Sequence, residues 1–178
     1  DTPSQILHIR LNNKNRLSGS IFSQVTQSKF SETPDIDDVA LLKSMFNSIQ
    51  ELVAQKKVLA LHAISDGGLI TTLLEMAFTK KVGLNLSFDQ VSQNDLNSFL
   101  FSEEAGLVIQ VADEDCESII HELSSKGLIA NLIGQVSSTK DLIISSVNKE
   151  IYRGSVVNLE KYWREVSHAI QSIRDNES

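Results

Sequence analysis

LALHAISDGGLITTLLEMAF, residues 59–78, is the stretch that decides the fold. The apolar run Val58 to Leu61 has the length and flanks of a buried strand, and Leu69, Leu73, Met76 and Ala77 recur at the spacing of one helical face. Ser65-Asp66-Gly67-Gly68 is therefore a strand-to-helix turn. Its two glycines permit backbone angles and close approach that a side chain would block, while Ser65 or Asp66 is placed to cap the first free amides of the helix. Exposed amides and the helix dipole make such a turn a candidate anion site. The same four residues are also ordinary structural punctuation. Asp66 argues against a bare phosphate cradle, since a carboxylate beside a phosphate needs a cation between them, so a metal-bridged nucleotide and a plain cap both remain open.

Working outward, Gln5 to Leu11 reads as a strand and Asn12 to Arg16 as a loop, with a short helix after Ser18-Gly19. A longer helix is expected from about Asp37 to Gln55, with Leu41, Leu42, Met45, Ile49, Leu52 and Val53 on its inner side. Beyond the glycine turn come a strand over Gly83 to Phe88, a short helix over Asp95 to Phe101 and a strand over Gly106 to Val111. An amphipathic helix over Asp115 to Lys126 follows, closed by Gly127. Strands are expected over Ile129 to Val136, Asp141 to Val147 and Glu150 to Arg153. The last helix, Asn158 to Arg174, carries Leu159, Tyr162, Trp163, Val166, Ala169, Ile170 and Ile173 at helical spacing. It either packs back on its own domain or docks on a neighbour. The sum is an α/β (α+β) sandwich, a mixed sheet packed with helices.

A length of 178 residues allows one domain with a sizeable core, alone or with an appended element. The apolar stretches are too short for a membrane span, so no membrane partner is expected. A net charge of −7 disfavours nucleic acid as a partner, because phosphates demand clustered Lys and Arg. The single cysteine, Cys116, lies on an apolar helix face and reads as a core residue. Together with the lack of a signal or transit pattern it points to a reducing, cytoplasmic setting. The opening at Asp1 reads as that of a segment cut from a longer chain.

His8, His62, His121 and His168 are scattered, no Cys or His spacing suits zinc, and the dinucleotide, P-loop and hydrolase motifs do not occur. No metal ligand and no catalytic residue is therefore assigned. Glu103-Glu104 in LFSEEAG is more informative, because two adjacent acids end an expected helix where the dipole disfavours them. They read either as a solvated loop pair or as groups that bind a metal or order the nearby turn. His62, just before the turn, either reaches a ligand or sits half-buried at the strand's end.

LHAISDGGLITTLLEMAF, LFSEEAGLVIQV and YWREVSHAIQSIRDN, in this order and spacing, resemble the large single-chain phosphoribosylformylglycinamidine synthases over essentially the whole chain. The resemblance implies a duplicated aminoimidazole ribonucleotide synthase-like core followed by a glutaminase domain. Residues 1–155 would form the second C-terminal lobe of that core and 156–178 a helix leading toward the glutaminase. It further implies an ATP-dependent ligase of purine biosynthesis that converts formylglycinamide ribonucleotide to its amidine with ammonia from glutamine. This chain alone would be inactive. ATP or ADP with magnesium is the implied cofactor set of the whole enzyme, and the remaining domains and nucleotide are the implied partners. Ser65, Asp66, Gly67 and Gly68 are the implied nucleotide-binding residues. The family turn reads His-Asp-x-Ser-Asp-Gly-Gly, its first Asp on magnesium and its Ser on the nucleotide, whereas Ala63 stands here in place of that Asp. A methyl group offers magnesium no oxygen.

Such a lobe is expected to expose an apolar sheet face through which a homo-oligomer forms. The alternative reading is a non-catalytic scaffold that makes its contacts through the aromatic C-terminal helix. A third, a selenophosphate synthetase or thiamine-phosphate kinase relative, is disfavoured by LFSEEAGLVIQV.

Overall fold

The structure, a computed structural model, describes residues 3–175. Residues 176–178 of the expected last helix, and the side chain of Val166 on its stripe, lie outside the described residues. Strand β1 (Ser4–Arg10) and helices α1 (Ile21–Thr26) and α2 (Val39–Ala54) come first. The glycine turn joins β2 (Val58–Ala63) to α3 (Gly68–Lys80). Next are β3 (Gly83–Ser87), α4 (Leu96–Phe101), β4 (Gly106–Ala112) and α5 (Cys116–Ser125), the last entered through a 3-10 turn. The chain closes with β5 (Ile129–Ser137), β6 (Asp141–Ser146), β7 (Lys149–Ser155) and α6 (Val156–Asp175). Among the described residues no helix is long and apolar enough to cross a membrane.

The strands form one mixed seven-stranded sheet in the order β2-β4-β1-β5-β3-β6-β7. Neighbours are antiparallel except β3 and β6, which run parallel. Alternation along the strands sends side chains to opposite faces, so the sheet supports two cores. Leu7, Ile9, Ile109 and Val111 meet Met45, Ile49 and Leu52 of α2 and Ile119 and Leu123 of α5. Ile6, Val108, Leu84, Leu86, Leu142 and Ile144 meet α3, α4 and Val156 at the start of α6. Cys116 is buried in the first core, as its apolar position implied.

Three sequence expectations change in the structure. The Val58 run is an edge strand rather than a buried one. It pairs with β4 alone, and Leu59 and Leu61 remain 54% and 42% exposed, because the strand order leaves β2 at the end of the sheet. The last helix starts two residues early, at Val156, whose amide donates to the Lys140 carbonyl (2.8 Å). Its first turns pack back, with Leu159 against the α3 core and the Trp163 ring 5.6 Å from Phe78, while Tyr162, Ile170 and Ile173 stay exposed. Third, Val53, expected on the inner side of α2, is exposed (43%), and so are Phe46 on the same helix and Leu59 and Leu61 on β2. By contrast, the faces of β3, β6 and β7 turned away from α3 carry the mixed set Asn85, Ser87, Ile143, Ser145 and Arg153, none of them in either core.

Candidate functional site: the glycine turn and its acidic clamp

The turn after β2 is shaped by its two glycines. Gly67 and Gly68 have φ of 84° and 74°, in the left-handed region that favours glycine. A Cβ on Gly68 would lie 2.6 Å from the Phe101 carbonyl carbon and 2.7 Å from the Ser102 carbonyl oxygen, against backbone with nowhere to go. The atoms nearest to a Cβ on Gly67 all belong to the Thr71 side chain. Gly68→Ala is accordingly expected to lower the folding free energy by about 2 kcal/mol or more through displaced backbone and a strained φ. The check is the urea midpoint beside that of Gly67→Ala, and equal losses would contradict the backbone clash.

Neither Ser65 nor Asp66 caps α3, contrary to the local expectation. The cap position is Gly67, which has no capping side chain of its own. A distant carboxylate takes over: the Gly67 amide donates to Glu103 Oε1 (2.8 Å), and the Ile21 amide donates to the same oxygen (2.9 Å). Glu103 thus joins the N-terminal ends of α3 and α1. It neutralises the dipole end at which an external anion would sit. Ser65 and Asp66 are left exposed, their side chains without a hydrogen bond among the described residues, while the Ser65 carbonyl accepts from the Gly68 amide (2.9 Å).

Glu104 turns the other way and is buried. Its carboxylate accepts from Arg16 Nε, from Arg16 Nη2 (2.8 Å) and from the Arg16 amide (3.3 Å). The acidic pair, left open between a solvated loop and an ordering role, orders two turns. Ala63 is exposed at the end of β2. His62 is half-buried, with Nε2 2.9 Å from Glu75 and Nδ1 donating to the Ala63 carbonyl (2.7 Å), so it faces α3 and not the turn.

Sequence reasoning missed a second polar centre beside this one. Ile6, His8 and Arg10 share a face of β1, and the last two are each 6% exposed. His8 meets the Phe99 ring edge-on at 5.6 Å, and its Nδ1 has no partner. Burial, then the nearby Arg10 charge, pushes its pKa down to about 3, so the ring is neutral. Arg10 lies over the same Phe99 ring, 5.0 Å from its centroid. Its pKa is lowered by burial, an effect the Glu104 charge opposes. The available signal was parity: a histidine and an arginine at alternate positions from a core isoleucine in a strand buried on both faces.

Among the described residues no group of three His, Cys, Asp or Glu side chains is placed to hold a metal ion. With Ala63 at the turn and Glu103 engaged, the residues of this chain do not by themselves fit a magnesium site.

The fold is thus a mixed sheet covered by helices on both faces, with a glycine turn opening one of them beside an acidic connector. The chain belongs to the family described as AIR synthase related protein, C-terminal domain, which it matches over residues 6–146. Among solved structures, Thermotoga maritima PurL complexed with FGAR superposes with a TM-score of 0.70 at 15% identity, covering 89% of this chain and 28% of that one. T. maritima PurL complexed with ATP gives 0.67 at 13% identity, with 89% and 26% covered. Hydrogenase maturation protein HypE gives 0.56 at 18% identity, with 85% and 53% covered. Similarity at this level is a shared fold. The chain spans about a quarter of the length of the PurL chains it matches.

Proposed function

We propose that this chain is the second C-terminal lobe of a large phosphoribosylformylglycinamidine synthase, a cytoplasmic ATP-dependent and glutamine-using ligase of purine biosynthesis, and that it is inactive alone. The family match over residues 6–146 carries this reading, and the quarter-length coverage of PurL supports it. In this reading residues 1–155 are the lobe and 156–178 a helix leading toward the glutaminase. The lobe lends the exposed Ser65 hydroxyl and Asp66 carboxylate to a nucleotide site completed by other lobes. Magnesium, where it accompanies the nucleotide, is held by those lobes, because Ala63 supplies no oxygen and the Glu103 carboxylate already accepts from the Gly67 and Ile21 amides. The apolar residues Phe46, Leu59 and Leu61 then belong to surface that the other lobes cover, and in their absence the chain self-associates.

Calorimetric titration with ADP and magnesium tests the turn. Ala63→Asp is expected to bind at least about tenfold more tightly than the parent chain. Binding by neither chain would mean that the pocket needs the other lobes, and equal binding by the two would sink the nucleotide role of the turn. The scaffold reading would then lead, favoured by the exposed Tyr162, Ile170 and Ile173 on α6.

A further inference from the structure

We propose that the cleft at the ends of β1 and β3, beside the middle of β5, is a binding site for a small oxyanion, the carboxylate or phosphate head of a metabolite, with Arg10 as its receptor. This site is separate from the glycine turn and does not rest on the nucleotide reading. The cleft has a volume of about 480 Å³ and is lined by Arg10, Asn15, Ser92, Asp95, Phe99 and Asn131, among others.

Arg10 is held in a way that leaves it able to receive a ligand. The face of its guanidinium is spent on the Phe99 ring, so the donors available are those in its plane. Nη2 donates to the Lys14 carbonyl and to Asn15 Oδ1, both at 2.6 Å. Nε and Nη1 donate to no group among the described residues, yet neither is sealed from solvent. Among the described residues Arg10 has no carboxylate at ion-pair distance. The acid that does act on it, Glu104, is bound through both oxygens by Arg16. An arginine nine-tenths buried with no contacting carboxylate among the described residues carries a desolvation cost that an incoming oxyanion offsets. Behind it, His8 keeps its Nδ1 without a partner, so the chain's own groups leave this polar centre under-satisfied.

The rest of the lining narrows the class of ligand. Asp89 and Asp95 border the same cleft. Asp89 accepts from Ser87 (2.8 Å) and from the Asn148 amide (3.1 Å), and these hydrogen bonds hold its carboxyl below the usual range. Asp95 accepts from Ser92 (2.6 Å). A ligand whose head meets Arg10 therefore presents hydroxyl or ammonium donors, not a second anionic group, toward this acidic side. The site suits a compact singly headed acid and rejects a polyphosphate.

The test is a titration of the 15N-labelled 178-residue chain with inorganic phosphate and, separately, with acetate, at constant ionic strength. The signal followed is the Arg10 Nε–Hε resonance. At least one probe is expected to shift it saturably with an affinity on the order of 1 mM. Which probe does so distinguishes a phosphate from a carboxylate head. Arg10→Lys, which replaces the planar donors with a point charge, is expected to bind about tenfold more weakly, and Arg10→Met not at all. Absence of a saturable shift with both probes up to tens of millimolar overturns the site. That outcome is read on the unmodified chain, so it stands even where a variant fails to fold, and it leaves the Ala63→Asp result untouched.

Discussion

Glu104→Ala is expected to lower the folding free energy by about 3–5 kcal/mol, the range for removing one partner of a buried ion pair. Glu104 is 8% exposed and receives the Arg16 guanidinium through both oxygens as well as the Arg16 amide. Arg16 is a hub. Its Nη2 also donates to the Asp35 carbonyl (2.8 Å) and pairs with Asp37 (3.1 Å), and its own carbonyl accepts from Ser102 Oγ (2.9 Å). One carboxylate therefore ties together the loop after β1, the loop before α2 and the connector from α4 to β4. Its removal leaves Arg16, whose side chain is 9% exposed, with the exposed Asp37 as its remaining acid and deprives Arg10 of a compensating charge. Glu104→Gln keeps the shape and one acceptor and is expected to lose about half as much. Urea denaturation with an unchanged m-value is the check. A loss under about 1 kcal/mol for the alanine variant would mean that Asp37 alone sustains Arg16.

How far the sequence was legible follows the range over which each signal acts. Helix α2 and helix α3 were readable because their apolar residues repeat at helical spacing, and β4 because its branched residues follow a glycine at 106. Strand order was not. Nothing in Val58 to Leu61 says that the strand will sit at an edge, since that depends on β4 choosing β1 as its other partner. The turn itself was found, but its capping was misread, because a local rule favoured Ser65 or Asp66 and a carboxylate 36 residues away prevailed. Glu103-Glu104 did stand out as misplaced acids, and the misplacement was the trace of their long-range partners. Arg16 gave no such trace. Its carboxylate lies 88 residues on, and an arginine in a polar loop looks solvated until β1 and β4 pair and bring the two segments together.

Acidification from pH 7 to pH 4.5 is expected to remove about 2–3 kcal/mol of stability through His8 alone. The imidazole has an ordinary pKa of 6.5 in the unfolded chain and about 3 in the folded one. Above pH 6.5 both states hold it neutral and its contribution is complete. Between 6.5 and about 3 the unfolded chain takes up a proton that the folded chain refuses, so stability falls as pH falls, by up to about 1.4 kcal/mol per pH unit. The groups around His8 reinforce the direction. Arg10 on the same strand face repels a second positive charge, Phe99 offers a ring edge, the residues paired beside it are Val108 and Asn131, and Glu104 nearby is committed to Arg16. The depressed carboxyls of Asp37, Asp89 and Glu150 are exposed, and they lose their stabilisation only nearer their ordinary range at lower pH. His8→Leu separates the two sources. Because Nδ1 has no partner to lose, this variant is expected to fall within about 1 kcal/mol of the parent at pH 7 and to become the more stable of the two as the pH drops. Parallel urea midpoints for the two proteins across pH 6.5 to 4.5 would show that the acid sensitivity lies elsewhere. A widening gap in favour of leucine would identify a buried neutral imidazole as the group whose protonation opens the fold.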